Sequence, residues 1–185
     1  LNFVTALASE AAPIIQHLGL KSRSTSAGLR IYERDKVRLV VSGIGKVASA
    51  YAVGYLAASA PSDIPQAWIN VGIAGHGEAA LGGVALVHRI VDDATEPTLY
   101  PSIACAAPCQ TLELHTFDKP STNYAGAALC DMEGSGFFKA AARVSGVEFA
   151  QLLKIVSDNS KAQLVALDRA RISALVESQL AIVDE

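Results

Sequence analysis

Residues 66–72, QAWINVG, form a nearly continuous apolar run. A strand open to water on one face alternates apolar and polar residues, so this run predicts a strand covered on both faces, as in parallel sheets. Strand and helix patterns take turns around it. LNFVTAL predicts a strand, and SEAAPIIQHLG a helix with Ser9 as N-cap, Pro13 in its first turns and Gly19 beyond its end. LRIYERD and KVRLVVSG predict a hairpin turning at Asp35 and Lys36. GIGKVASAYAVGYLAA is a glycine turn opening a helix, IAGHGEAALGG reads as a loop with four glycines, and VALVHRIVDD as a long strand. After an irregular connection over 94–108, TLELHTF reads as a strand and DKPSTNYAG as turn chemistry. AALCDME and EFAQLLKIVSD read as strands, with GSGFFKAAARVSG as a helix between them. From Lys161 onward, Val165, Ile172, Val176, Leu180 and Val183 recur at helical spacing and predict one long amphipathic helix.

This alternation predicts a single α/β domain over residues 1–185, with a mainly parallel mixed sheet flanked by helices on both faces. A chain of 185 residues is long enough for one substantial core. Ligands of such folds bind beyond the carboxyl ends of the strands, which singles out the turns after Leu7, Ser42, Val71, Phe117, Met132 and Val156.

Composition narrows the function classes. The chain is 51% apolar and only 18% charged, as expected for a large core or a covered surface. A net charge of −3 without a Lys/Arg cluster argues against nucleic acid as a partner. No apolar run approaches the roughly 20 residues that span a bilayer, and the first residues lack signal-peptide features, so a cytoplasmic protein without membrane contact is expected. Cys105, Cys109 and Cys130 lack C-x-x-C spacing, so they read as free thiols, with no disulfide framework and no metal site.

Three segments carry possible chemistry. GIGKVA, residues 43–48, fits the glycine turn that holds a pyrophosphate on a helix N-terminus. A dinucleotide site also needs an acid at the end of the next strand, and Asp63 precedes that strand instead. A tight structural turn, or a site for another anion or a sugar, stays open. In NVGIAGHGE, glycines 72, 75 and 77 allow close backbone approach, and His76 reads as a loop residue because no G-x-S-x-G elbow accompanies it. Glu133 and Asp158 end successive apolar strands, where an unpaired carboxylate is costly to bury. Two carboxyls so placed suit N-glycosidic cleavage, one holding sugar hydroxyls and one assisting departure of the base. The competing reading is that both cap helices.

With those residues in view, the chain resembles the nucleoside phosphorylase and nucleosidase superfamily. VVSGIGKVASAYAVGYLA is similar to its strand, S-G-[IV]-G-[KR] turn and helix, and INVGIAGHGEAALGGVALV to its I-N-x-G-x-A-G segment with the strand that follows. DMEGSGFF resembles its M-E-[AGT] motif, and KIVSDNS its R-x-[IV]-S-D signature. The resemblance implies a three-layer sandwich that cleaves the N-glycosidic bond of a purine nucleoside or related compound. It implies Glu133 on the ribose hydroxyls, Met132 against the sugar, and Asp158 as the acid facing purine N7 with Ser157 beside it. Ile73, Gly75 and Asp118 would border the substrate, and Gly43, Gly45 and Lys46 a phosphate or nucleophile site.

Departures from the pattern carry information. Ile73 stands where relatives have Ser or Thr, Ala12 where a water-orienting glutamate is expected, and Lys154 where they have Arg. Glu10 is the shifted substitute for that glutamate. The turns that in relatives supply arginines for phosphate hold none here, Arg23, Arg30 and Arg34 lying on or near the hairpin. Water is therefore preferred as nucleophile, with inorganic phosphate as the alternative co-substrate and no other cofactor. A nucleoside-binding protein that has lost the chemistry is a further alternative, motivated by Ile73, Lys154 and a shortened middle segment. Family membership also implies a homo-oligomer, a dimer or hexamer.

Overall fold

The computed structural model describes residues 1–25, 28–59, 65–95, 98–103, 106–121, 124, 126–162 and 168–184. Asp63, Cys105 and Val165 lie outside the described residues. The elements are β1 (Asn2–Thr5), α1 (Ala8–Leu18), β2 (Lys21–Arg23), β3 (Arg30–Arg34), β4 (Val37–Val41), α2 (Lys46–Ser59), β5 (Trp68–His76) and β6 (Val84–Asp92). They continue with β7 (Thr98–Leu99), β8 (Gln110–Thr116), β9 (Leu129–Asp131), α3 (Gly134–Ser145), β10 (Ala150–Asp158), α4 (Arg169–Glu177) and α5 (Leu180–Val183).

All strands join one mixed sheet in the order β10-β6-β8-β9-β5-β1-β4-β3-β2, with β7 on β6. β10 also pairs with β5, so β5, β10, β6, β8 and β9 close into a ring from which β1, β4, β3 and β2 extend. β4, β1, β5 and β10 run parallel, as the unbroken apolar strands require. Helices cover both faces. Ala52, Val53 and Leu56 of α2 pack with Phe137, Phe138 and Ala141 of α3 on one side. Ala11 and Ile14 of α1 pack with Val176 of α4 on the other.

β5 fixes where a ligand can enter. β10 follows one of its edges from Trp68 to Gly75, while β1 and β9 divide the other. β1 pairs only as far as Asn70, and β9 begins at Gly75. The sheet splits between them, which is the strand-end crevice where ligands of α/β folds bind.

Several local expectations need correction. Ile73–Gly75 belong to β5 rather than to a glycine loop, because β10 and β9 continue to pair with that segment. Helix α1 starts one residue before Ser9, and its N-terminus is held by Glu10 Oε2, which accepts from Leu7 N at 2.8 Å and Ala6 N at 2.9 Å. Pro13 lies within α1, where it has no N–H for the Ser9 carbonyl, and Ser173 Oγ donates to that carbonyl at 2.7 Å instead. The long terminal helix is two helices, and Asp168 caps the first by accepting from Ala170 N and Arg171 N.

Gly136 lets α3 lie against the start of α2, since a Cβ there would sit 2.2 Å from the Lys46 carbonyl oxygen and 2.7 Å from its carbon. Backbone cannot yield as a side chain can. Gly136→Ala is therefore expected to lower stability by about 1–3 kcal/mol in urea unfolding, and wild-type stability would contradict this contact.

Candidate active site

The crevice beside β5 is a cavity of about 190 Å³ whose lining includes Glu10, Asp131, Glu133 and Asp158. These carboxyls arrive from three strand-to-helix turns. Glu10, only 2% exposed, fills the split in the sheet and accepts from Ile73 N at 2.9 Å, replacing the missing ladder partner of β5. Its position in the first turn of α1 lets one side chain satisfy that amide and two helix-end amides. Burial pushes its carboxyl above the ordinary value, although those bonds and the Lys154 ammonium pull the other way.

Glu133 sits at the α3 N-terminus, yet its carboxylate does not cap that helix; Oε1 accepts from Gly45 N at 2.8 Å across the cleft. Asp131 takes the helix end instead, accepting from Gly134 N at 2.8 Å. Lys154, 1% exposed, lies 2.8 Å from the same Asp131 oxygen. Burial lowers the Lys154 pKa, but Asp131, Glu133 and Glu10 outweigh it and hold the ammonium charged. One ammonium cannot offset three acids. Burial first, and Asp131 second, push the Glu133 carboxyl up to about 7.

Asp158 ends β10 across the cavity and caps none of the described helices, the next of which is capped by Asp168. Ser157 Oγ donates to its Oδ1 at 2.6 Å, and Tyr124 Oη to its Oδ2 at 2.6 Å. The Tyr124 ring lies against Gly75, where a Cβ would be 2.7 Å from Cε1 and 2.9 Å from Asp158 Oδ2. Burial and the Asp158 charge raise the phenol pKa, so this hydroxyl stays protonated.

The structure gathers Glu10, Ile73, Gly75, Met132, Glu133, Ser157 and Asp158 around one cavity. Gly43, Gly45, Lys46 and Asp118 are not among its lining residues. In the turn at 43–46, Gly43 N–H is given to the Ala6 carbonyl at 3.1 Å. Gly45 N–H is given to Glu133, while Lys46 Nζ meets Asp92 at 2.8 Å and Asp118 at 2.7 Å. Gly43 lines a neighbouring cavity with Ile44, Arg30 and Arg169 instead. Asp118, 61% exposed at its side chain, is the outer partner of Lys46. His76 organises a turn, with Nδ1 accepting from Glu78 N and Ala79 N. Sequence reasoning missed Tyr124, whose only signal was an aromatic residue inside a turn-like segment, and Asp131, whose neighbour Glu133 drew attention away from it.

With this geometry in hand, comparison with solved structures is informative. 5′-Methylthioadenosine/S-adenosylhomocysteine nucleosidase of Helicobacter pylori superposes with a TM-score of 0.82 at 12% identity, covering 99% of this chain and 95% of that one. The fold is that of the nucleosidases. Arabidopsis thaliana 5′-methylthioadenosine nucleosidase gives 0.77 at 20% identity, covering 99% of this chain and 92% of that one. Futalosine hydrolase of H. pylori gives 0.80 at 13% identity, covering 99% and 94%. No family model and no curated protein matches the sequence. The nucleosidase fold agrees with the α/β sandwich expected above.

The Glu133 pKa sets a pH dependence of stability. Its folded-state value lies above the ordinary 4.5, so as pH rises the unfolded chain loses this proton first and stability falls between about pH 4.5 and 7. Glu133→Gln keeps an acceptor for Gly45 N–H without the charge. Urea unfolding is expected to show the variant matching wild type near pH 4 and exceeding it near pH 8, by on the order of 2–3 kcal/mol. Parallel pH profiles for the two proteins would contradict the burial argument.

Proposed function

We propose that this protein hydrolyses the N-glycosidic bond of a purine nucleoside or related compound. The observation that carries this reading is the convergence of Glu10, Glu133 and Asp158, from three separate turns, on one cavity of the nucleosidase fold. Glu133 holds the ribose hydroxyls, with Met132 against the sugar, and its charge favours the positive character that grows on the ring as the bond breaks. Asp158 gives a proton to N7 as the C1′–N9 electron pair moves to the base, and Tyr124 and Ser157 orient that carboxyl. Water bonds to C1′ and passes its proton to Glu10, whose raised pKa makes it a stronger base.

Electrostatics favours water over phosphate. The cavity lining contains four carboxyl residues and, among the described residues, no lysine or arginine. A phosphate anion entering it would meet like charge, with the nearby Lys154 ammonium already paired with Asp131. This supports a cofactor-free hydrolase. Self-association is also part of the reading, because Ile44, Val47 and Tyr51 form an exposed apolar stripe at the start of α2, with Val47 84% exposed. Sedimentation as a monomer at all concentrations would remove it.

Asp158→Asn is expected to fold normally by circular dichroism and to lose about 10²–10⁴-fold in base release. Near-normal turnover would remove the acid role. Base release from a nucleoside panel is expected to proceed equally with and without phosphate, and a strict phosphate requirement would overturn hydrolysis.

A further inference from the structure

Bare backbone at Gly75, near the end of β5, and at Gly77 just beyond it leaves room for a flat ring to approach closely. The ring that does so belongs to the protein itself. A Cβ on Gly75 would lie 2.7 Å from Tyr124 Cε1, and one on Gly77 would lie 3.4 Å from Tyr124 Cβ. Tyr124 Oη donates to Asp158 Oδ2 at 2.6 Å, and the Tyr124 carbonyl accepts from Gly126 N at 2.9 Å. Asp158 Oδ1 is held by Ser157, the preceding residue of β10, so Oδ2 is the oxygen whose partner comes from outside the strand. The phenol thus puts an aromatic ring against Gly75 and an O–H on the acid. A purine protonated at N7 would present the same two features there. Space agrees with this. With Tyr124 in this position, the cavity whose wall includes Gly75 and Asp158 measures about 190 Å³, below the roughly 300 Å³ at which ligand pockets ordinarily begin.

We propose that the Tyr124 side chain is the resident occupant of the base subsite, so that a purine reaches Asp158 by displacing its hydroxyl and the hydroxyl returns as the base leaves. The inference rests on the glycosidic reading of this cavity. In that reaction Asp158 gives its proton to N7 as the C1′–N9 electron pair moves to the base, and the freed base then donates the new N–H to the Asp158 carboxylate. Tyr124 donates to an oxygen of the same carboxylate. Two donors that compete for one oxygen weaken each other's hold, so the tyrosine limits how tightly the base is bound and how long it stays.

Calorimetric titration of the full chain with adenine, and with hypoxanthine in parallel, tests this on wild type, Tyr124→Phe and Tyr124→Ala. Tyr124→Ala is expected to bind at least one of the two bases about tenfold or more tightly than wild type, and Tyr124→Phe to keep the part of that gain owed to the hydroxyl bond. Base release from adenosine and inosine is followed in the same proteins, with KM expected to fall in both variants. A tyrosine that only orients Asp158 would lower kcat and leave affinity for the free base unmoved, and one that stacks on the bound base would weaken binding when removed. Wild-type or weaker affinity in a Tyr124→Ala protein that folds normally by circular dichroism therefore overturns the proposal, as does absence of binding to all three proteins. If Tyr124→Ala does not fold, Tyr124→Phe decides by the same criterion. If none of the three releases base while the variants still bind the bases more tightly, the glycosidic reading fails and the occupancy stands. An active wild type whose affinity for the base is unmoved by the substitutions defeats the occupancy alone.

Discussion

Lys154 Nζ lies inside the sheet, 1% exposed, 2.8 Å from Asp131 and within the electrostatic reach of Glu133 and Glu10. Burying one acid and one base in contact leaves little net charge, whereas burying three acids around one base leaves an excess that must stay partly protonated. That excess falls on Glu10 and Glu133, whose pKa values are both raised. The cavity thereby holds two carboxyls that keep their protons more readily than ordinary side chains, at some cost in stability. Without Lys154 the three acids would face one another unshielded.

The fold makes this cluster possible through an interruption. β1 stops pairing at Asn70 and β9 starts at Gly75, so the β5 amide at Ile73 has no strand partner and takes Glu10 as its acceptor. The turn after β4 brings Gly45 N–H to Glu133, and Gly136 allows α3 to lie close enough to α2 for that bond. Asp92 ties the same region together, meeting Lys46, Lys139 and Ser135 and held well below the usual carboxylate range by the two ammonium groups despite its burial. Positions remote in sequence thus converge because one strand changes partners midway.

Much of this was legible from residue patterns. Glu133 and Asp158 stood out as acids at the ends of apolar strands, and both line the cavity. The hairpin turning at Asp35 was readable from its flanking strands, and Asp35 does adopt φ 53°. Gly75 was misread as loop because the strand there tolerates no side chain beside Tyr124 and Asp158, so periodicity is absent where packing is tightest. The pairing of Lys46 with Asp92 and Asp118 was invisible, since local pattern says nothing about charges 46 and 72 positions away. Tyr124 was hidden for a similar reason: its contact with Asp158 depends on where a turn-rich segment is folded back.

A crystal structure with a nucleoside analogue whose sugar is replaced by a cationic pyrrolidine, joined to 9-deazaadenine, tests the cluster most directly. The expected result is the ligand hydroxyl on Glu133, the cation within the carboxyl-lined cavity, and N7 on Asp158 in the place of the Tyr124 hydroxyl. A ligand bound elsewhere, or seated there with Glu133 and Asp158 contacting only the protein, would contradict a glycosidic site built from these acids.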